Sequence, residues 1–405
     1  MKRTFMMTIL SMLLAMLMML GALAENAALA EDATQNIDLV EITGRLVIDS
    51  AGIYTLSGTL AGGVVVDPGE GDVTLVLNGA TIESADTAGI AAISGDALTI
   101  VLAEGTENAV SDGGSDDDYD AAIYSAVALT FDGAGALTVN GNNQEGISTE
   151  NADMTFNGGV FTVTSQDDGI NAGGDDGGLI TFNGGEFTIN SSGDGIDSNA
   201  AAVFNGGAIY VVGSAAGGDA GIDTDDGYTI YGGSIIAIGT DMIETPTGDT
   251  TQTTLALSLE DTIEEGSAIV LADADGNAVA EFTALQSFRT LIVSSDALTA
   301  GSYTLYADGE AVSVDGANSV EITDTVTSVG SMGFGPDGMG PDGAFGPDGM
   351  EPPEGMGQPG AFNPDGMGPD GDMTPPDGME RPELPDGMQG EPPAFGGPEA
   401  DNEAN

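Results

Sequence analysis

The sequence predicts an all-β fold, a right-handed parallel β-helix, and three observations carry that expectation. A unit of short strands recurs every 23 to 26 residues across the middle of the chain. Within each unit apolar and polar residues alternate with period two, and no helical periodicity separates the strands. The breaks between strands are Asn and Gly turns at equivalent places in each unit. A period of this length is that of a solenoid coil.

Three copies show the unit plainly. Met154-Thr155-Phe156-Asn157-Gly158-Gly159-Val160-Phe161-Thr162-Val163 closes on Asp168-Gly169-Ile170-Asn171. Ile180-Thr181-Phe182-Asn183-Gly184-Gly185-Glu186-Phe187-Thr188-Ile189 closes on Asp194-Gly195-Ile196-Asp197. Ala202-Val203-Phe204-Asn205-Gly206-Gly207-Ala208-Ile209-Tyr210-Val211 closes on Ala220-Gly221-Ile222-Asp223. Weaker copies flank them, as at Phe131-Asp132-Gly133 with Glu145-Gly146-Ile147, and at Ile230-Tyr231-Gly232-Gly233 with Asp241-Met242-Ile243. Leucine-rich repeats have similar periods, but Phe, Ile and Val fill the periodic sites here. One such strand cannot bury its apolar face alone, so the coils must stack. Stacking predicts one internal column of Phe131, Phe156, Phe182 and Phe204 and another of Ile147, Ile170, Ile196 and Ile222. Asn157, Asn183 and Asn205 should form a turn ladder. Residues 46–245 give roughly eight or nine coils at this period.

The other segments follow from composition. Lys2 and Arg3, the apolar run Phe5–Leu20 and the motifs Ala22-Leu23-Ala24 and Ala28-Leu29-Ala30 have the layout of a secretory signal peptide over residues 1–30, so an extracellular protein is expected. A retained membrane anchor is the competing reading, and the paired Ala-x-Ala sites favour cleavage. The β-helix is expected over 31–245. Residues 246–330 lose the repeat but keep strands such as Ser287–Val293 and Ser302–Tyr306, a small β unit that caps the last coil or forms its own lobe. From 331 to 405 Pro-Asp-Gly recurs seven times, usually before Met, and such a tail should be disordered. A solvated spacer is its plainest role, a wall tether or weak calcium-binding tail the other.

Composition excludes much. The chain has no Cys and no His, which removes disulfides, a Ser-His-Asp triad, a Cys-His pair and His-ligated zinc. Asp and Glu number 66 against 5 Lys and Arg, a formal net charge of -61. Nucleic acid is excluded as a partner, because binding it needs cations to displace counterions. Self-repulsion of this size needs cations to offset it.

The turn acids point to chemistry. Glu145, Asp168 and Asp194 precede the Gly-Ile pair in successive coils, and Asn171, Asp197 and Asp223 follow it. Adjacent coils lie about 4.8 Å apart, so equivalent residues stack at that spacing. Like charges so placed repel by about 1 kcal/mol in water, and by more where shielded. Hard carboxylate and amide oxygens are calcium ligands rather than zinc ligands. Asp167, Asp168, Asp194, Asp197, Asp219 and Asp223 are the candidate calcium ligands, with Asp225 and Asp226 behind them. A solvated acidic face is the alternative, and the coil-to-coil registration favours the ion. Asp116-Asp117-Asp118 and Asp175-Asp176 lack that registration and read as solvated. Catalysis is not expected: no Lys or Arg lies between Arg45 and Arg289 to serve as a lyase base, and the acids recur as a ladder rather than one pair. Trp being absent, Tyr210 and Tyr231 are the candidate sugar platforms among the tyrosines, half-buried packing being the alternative.

The Phe-Asn-Gly-Gly-x-Phe-Thr-Ile and Asp-Gly-Ile-Asn/Asp units, followed by Thr290–Ser295 and Gly301–Tyr306, resemble those of the bacterial secreted carbohydrate-binding β-helix proteins, over roughly residues 37–315. The resemblance implies a solenoid like that of pectate lyases, bound calcium at Asp168, Asp194, Asp197 and Asp223, and binding of cellulose or polygalacturonate-type polymers without established catalysis. Ala220 departs from the pattern where Asp is expected, with Asp219 beside it. The reading is therefore an extracellular calcium-stabilised protein that binds polysaccharide, the alternatives being a pectin-active hydrolase and a structural surface adhesin.

Overall fold

The computed structural model describes residues 34–113, 119–175, 177–214 and 218–330. The leader expected at 1–30, the tail expected at 331–405, the Asp116–Asp118 run and Asp176 lie outside them. Among the described residues there is no α-helix, only a 3-10 turn at Leu39–Glu41. The chain is an all-β parallel solenoid of about seven turns.

Each clear coil contributes three strands. One set, including Glu145–Glu150, Ile170–Gly173, Ile196–Ser198 and Ile222–Thr224, forms a short-stranded sheet of eight parallel rungs. The other two sets, such as Ile180–Phe182 and Glu186–Asn190, belong to one long sheet. The turn count falls below the eight or nine that the period predicts. Ile90 pairs with Ile123, a longer coil than the clear repeats, and after Thr224 the chain adds no further rung to the short sheet.

The predicted columns are present. Ile147, Ile170, Ile196 and Ile222 are successive in-register partners, as are Phe131, Phe156, Phe182 and Phe204. The four Phe rings stack nearly parallel with centroids 4.9–5.0 Å apart. A second stack, Phe161 on Phe187 at 4.7 Å, meets the first edge-on. Offset-parallel and edge-to-face contacts are the two arrangements that ring quadrupoles favour. Asn183 donates to Asn157 and Asn205 to Asn183, both at 2.9 Å, so the amide ladder holds the turns in step. The second Gly of each Asn-Gly-Gly turn has positive φ, 103° at Gly185. A side chain there would strain the backbone and come within 2.9 Å of the Phe187 ring.

Asn108 ties three coils together. Its Oδ1 accepts from the Gly79 and Ala80 amides, and its Nδ2 donates to Thr106 Oγ1 and Ala136 O, each at 3.0 Å. Asn108 and Ala80 are buried, so water is a poor substitute at that bond, whereas Gly79 is exposed. Replacing Asn108 by Ala strands two backbone donors and an acceptor, at about 1–3 kcal/mol each where water cannot reach. The expected result is a clear fall in the urea midpoint of unfolding with an unchanged slope.

Beyond the last coil the direction of pairing reverses. Phe288–Ser294 runs antiparallel to Ser234–Gly239 and to Thr254–Ile263, and Val326–Val329 pairs parallel with the latter. These strands continue the long sheet over the solenoid end. Strands at 268–273, 278–283, 301–307, 310–311 and 320–322 make a separate antiparallel sheet beside it. Leu255, Leu257, Phe288, Leu291 and Leu305 form the core of this region, with Val212 and Ile238 of the last coils packed into it.

Candidate functional site

The short-stranded sheet shows its outer face at every second residue, because neighbouring side chains of a strand point opposite ways. In Ile170-Asn171-Ala172 and its equivalents the flanking residues are buried, so the middle one faces out. Register then stacks Ser148, Asn171, Asp197 and Asp223 in one outward column. Asp168 and Asp194 stand in the turns that lead into these strands. The Asp194 amide donates to Asp168 Oδ1 at 2.7 Å, and the Ala220 amide donates to Asp194 Oδ1. Each turn acid thus spends one oxygen in holding the next coil, and the second oxygen of Asp168 accepts from Asn171 Nδ2 at 3.2 Å.

Asp194, Asp197 and Asp223 converge, each offering a carboxylate oxygen within 4.8 Å of the others. All three are half-buried. Burial is the main cause that pushes Asp194 up to about 8, with the charges of Asp168, Asp223 and Asp197 adding to it. Burial, then Asp168, Asp223 and Asp225, push Asp197 up to about 7. Asp168 rises to about 6 and Asp223 is also raised, burial leading in both. Among the described residues no cationic side chain relieves this crowd. The described cations are Arg45 and Arg289, and Arg289 pairs with Asp241 at 3.2 Å. Convergent hard oxygens without a counter-charge are the donor set that suits a divalent cation of the calcium class. Beside them, a side chain at Gly193 would lie 2.5 Å from both Asp167 Oδ1 and Asp168 Oδ1. Glycine therefore keeps the space between those carboxylates open.

Of the six sequence candidates, Asp194, Asp197 and Asp223 form the cluster and Asp168 borders it. Asp167 and Asp219 lie outside the convergent cluster, and burial with the Asp167 charge raises the Asp219 carboxyl. One acid escaped the sequence reading. Glu244 is only 7% exposed, its carboxylate accepts from Thr224 Oγ1 at 2.9 and 3.0 Å, and burial with Asp223 and Asp197 nearby pushes it up to about 8. The signal was in the repeat: Glu244 follows Ile243 as Asp223 follows Ile222.

The two candidate tyrosines differ. Tyr210 donates its hydroxyl to Thr283 O at 2.8 Å and accepts from the Leu285 amide at 3.1 Å, with Phe282 against its ring. Its hydroxyl is engaged in docking the C-terminal strands, while its ring lines a shallow groove of about 280 Å³ with Thr162, Thr188 and Ile236. Tyr231 stands free, 50% exposed, at the turn position that follows Asn205 in the amide ladder.

A family model for carbohydrate-binding domain-containing proteins matches residues 43–324, which take in the acidic column, the amide ladder and most of the C-terminal strands. The chain belongs to that family. A carbohydrate-binding domain-containing protein of Acetivibrio thermocellus is 38% identical to it over 138 residues, 32% of this chain and 48% of that protein. The chain thus spans about half the length of that relative. A solved structure described as the polysaccharide lyase-like protein from C. thermocellum, gadolinium derivative, overlaps 49% of this chain and 96% of its own, with 25% identity and a TM-score of 0.41. In this carbohydrate-binding domain, then, the most convergent acids lie on an outer sheet face rather than in the core.

Proposed function

We propose that the protein binds acidic polysaccharide of the polygalacturonate type outside the cell, through calcium held on the outer face of the short-stranded sheet. The observation that carries this is the convergence of Asp194, Asp197 and Asp223 from neighbouring coils. These residues would hold the ion, with Asp168 and Glu244 at its margin. Bound there, calcium supplies a positive charge that a uronate carboxylate can share with the protein. The chain's own residues set the rest. Asp168 and Asp194 hold successive turns through backbone amides, so the carboxylates keep their spacing without rearranging when sugar arrives.

The role is binding rather than cleavage. Proton abstraction beside a uronate needs a base, and the solenoid has no Lys or Arg between Arg45 and Arg289. A second reading rests on Tyr231. An exposed ring at the end of an amide ladder suits stacking on a neutral chain such as cellulose, independent of calcium.

Pull-down on cross-linked polygalacturonate and on insoluble cellulose, in calcium and in EDTA, tests both. Calcium-dependent depletion on polygalacturonate, lost in Asp197→Asn and without released sugar, is the expected result. Depletion unaffected by EDTA and by that substitution would sink the calcium reading, and released oligosaccharide would make the protein an enzyme.

A further inference from the structure

The long sheet has an outward face of its own, built without the acidic column. Register between neighbouring coils sets Thr138, Thr162, Thr188 and Tyr210 in one line. Their strand neighbours Phe161, Val163, Phe187 and Ile189 are buried, so this line points outward. The three threonines are exposed, and their hydroxyls bond to no other described residue. Such hydroxyls repeat along the solenoid at about 4.8 Å, and each can both donate and accept. At Tyr210 the line becomes half-buried against the C-terminal strands. Gln286, between two of those strands, donates to Asn190 Oδ1 at 2.7 Å and to Ser191 O at 2.8 Å, which fastens them to the rung that carries Thr188. The groove of about 280 Å³ runs along this line. Of the residues that line it only Glu186 is charged, in a chain whose formal net charge is -61.

We propose that this groove is a second glycan site, for an uncharged, extended polysaccharide chain. The hydroxyls of Thr162 and Thr188 bond the sugar hydroxyls, and the Tyr210 ring packs on an apolar sugar face. Charge selects the occupant. A uronate chain would meet Glu186 with no cation to relieve the contact, whereas a neutral chain meets no repulsion. A pyranose offers C–H faces and hydroxyl edges, which an aromatic ring beside a line of hydroxyls complements. The Tyr210 hydroxyl is already tied to Thr283 and Leu285, so its ring needs no ordering when sugar arrives. The site goes beyond the calcium-dependent reading and rests on neither the acidic column nor Tyr231.

Isothermal titration of the full chain with cellohexaose, in EDTA, tests the groove apart from calcium. The parent is expected to bind. Thr162→Val combined with Thr188→Val keeps the β-branched shape and removes both hydroxyls. It should weaken binding about tenfold, since each net hydrogen bond is worth roughly two- to tenfold. A parent that does not bind, or a folded double variant with parental affinity, would overturn the proposal. Should the double variant fail to fold, Thr162→Arg, which fills the groove from an exposed position, decides by loss or retention of binding. Binding abolished by Tyr231→Ala and untouched by the groove variants would place the neutral chain at the ladder turn, and also overturn it. Failure of the calcium reading looks different: Asp197→Asn would still deplete onto polygalacturonate while the cellohexaose titrations came out as expected.

Discussion

In EDTA the protein is expected to lose stability as pH rises from about 4 to about 8, the reverse of the usual behaviour of carboxylates in ion pairs. The sign follows from the cluster. Asp194, Asp197 and Glu244 are pushed up to about 8, 7 and 8, so the folded state holds protons in this window that the unfolded chain has released. A state that binds more protons is favoured by acid and penalised by base. Stability from these groups is therefore greatest below their ordinary pKa and is lost as pH passes through the raised values. Each tenfold gain in proton affinity on folding is about 1.4 kcal/mol, and the groups are coupled, so the combined loss is of the order of several kcal/mol. On the proposed function, added calcium binds the ionised form and is expected to reverse the trend, its stabilisation growing with pH. Thermal melts in EDTA and in excess calcium, at about pH 5 and about pH 8, give four midpoints. EDTA midpoints that rise with pH would contradict this account.

Phe182→Ala should be among the most damaging single substitutions outside the acidic face. Phe182 stacks between Phe156 and Phe204 and meets Phe187 edge-on, with no solvent exposure. Removing a buried Phe side chain costs about 3–5 kcal/mol, more when the site cannot collapse. Collapse is resisted here because the neighbouring rings are held by backbone ladders at fixed spacing. Phe182→Leu keeps most of the volume and should cost about half as much. Urea unfolding of the two variants beside the parent measures both, and equal midpoints would mean that the column carries little of the stability.

The interior was legible because it is periodic. Phe156, Phe182 and Phe204 declare themselves by equal spacing, and the Asn157, Asn183 and Asn205 ladder follows from the same count. Asp194, Asp197 and Asp223 were legible for that reason too, since stacking turns a linear repeat into a column. What escaped is what does not repeat. The engaged hydroxyl of Tyr210 depends on Thr283 and Leu285, more than 70 residues away and outside the period. Glu244 escaped because Met242 replaces the glycine that marks its coil, although its place after Ile243 keeps the pattern. The longer coil between Ile90 and Ile123 made the turn count too high.

The reversed strand Phe288–Ser294 has a bearing on how such a chain can change in length. Its ladder is made with Ser234–Gly239, and the contacts that brace it reach back to Tyr210, Asn190 and Ser191 through Thr283, Leu285 and Gln286. The closure of the solenoid thus depends on its last three coils alone. Coils upstream, each bonded only to its neighbours, are interchangeable units. Duplicating or deleting one of them leaves the terminus intact and lengthens or shortens the acidic face by one rung, so the number of acid-bearing rungs is free to drift by gene duplication while the end of the molecule stays fixed.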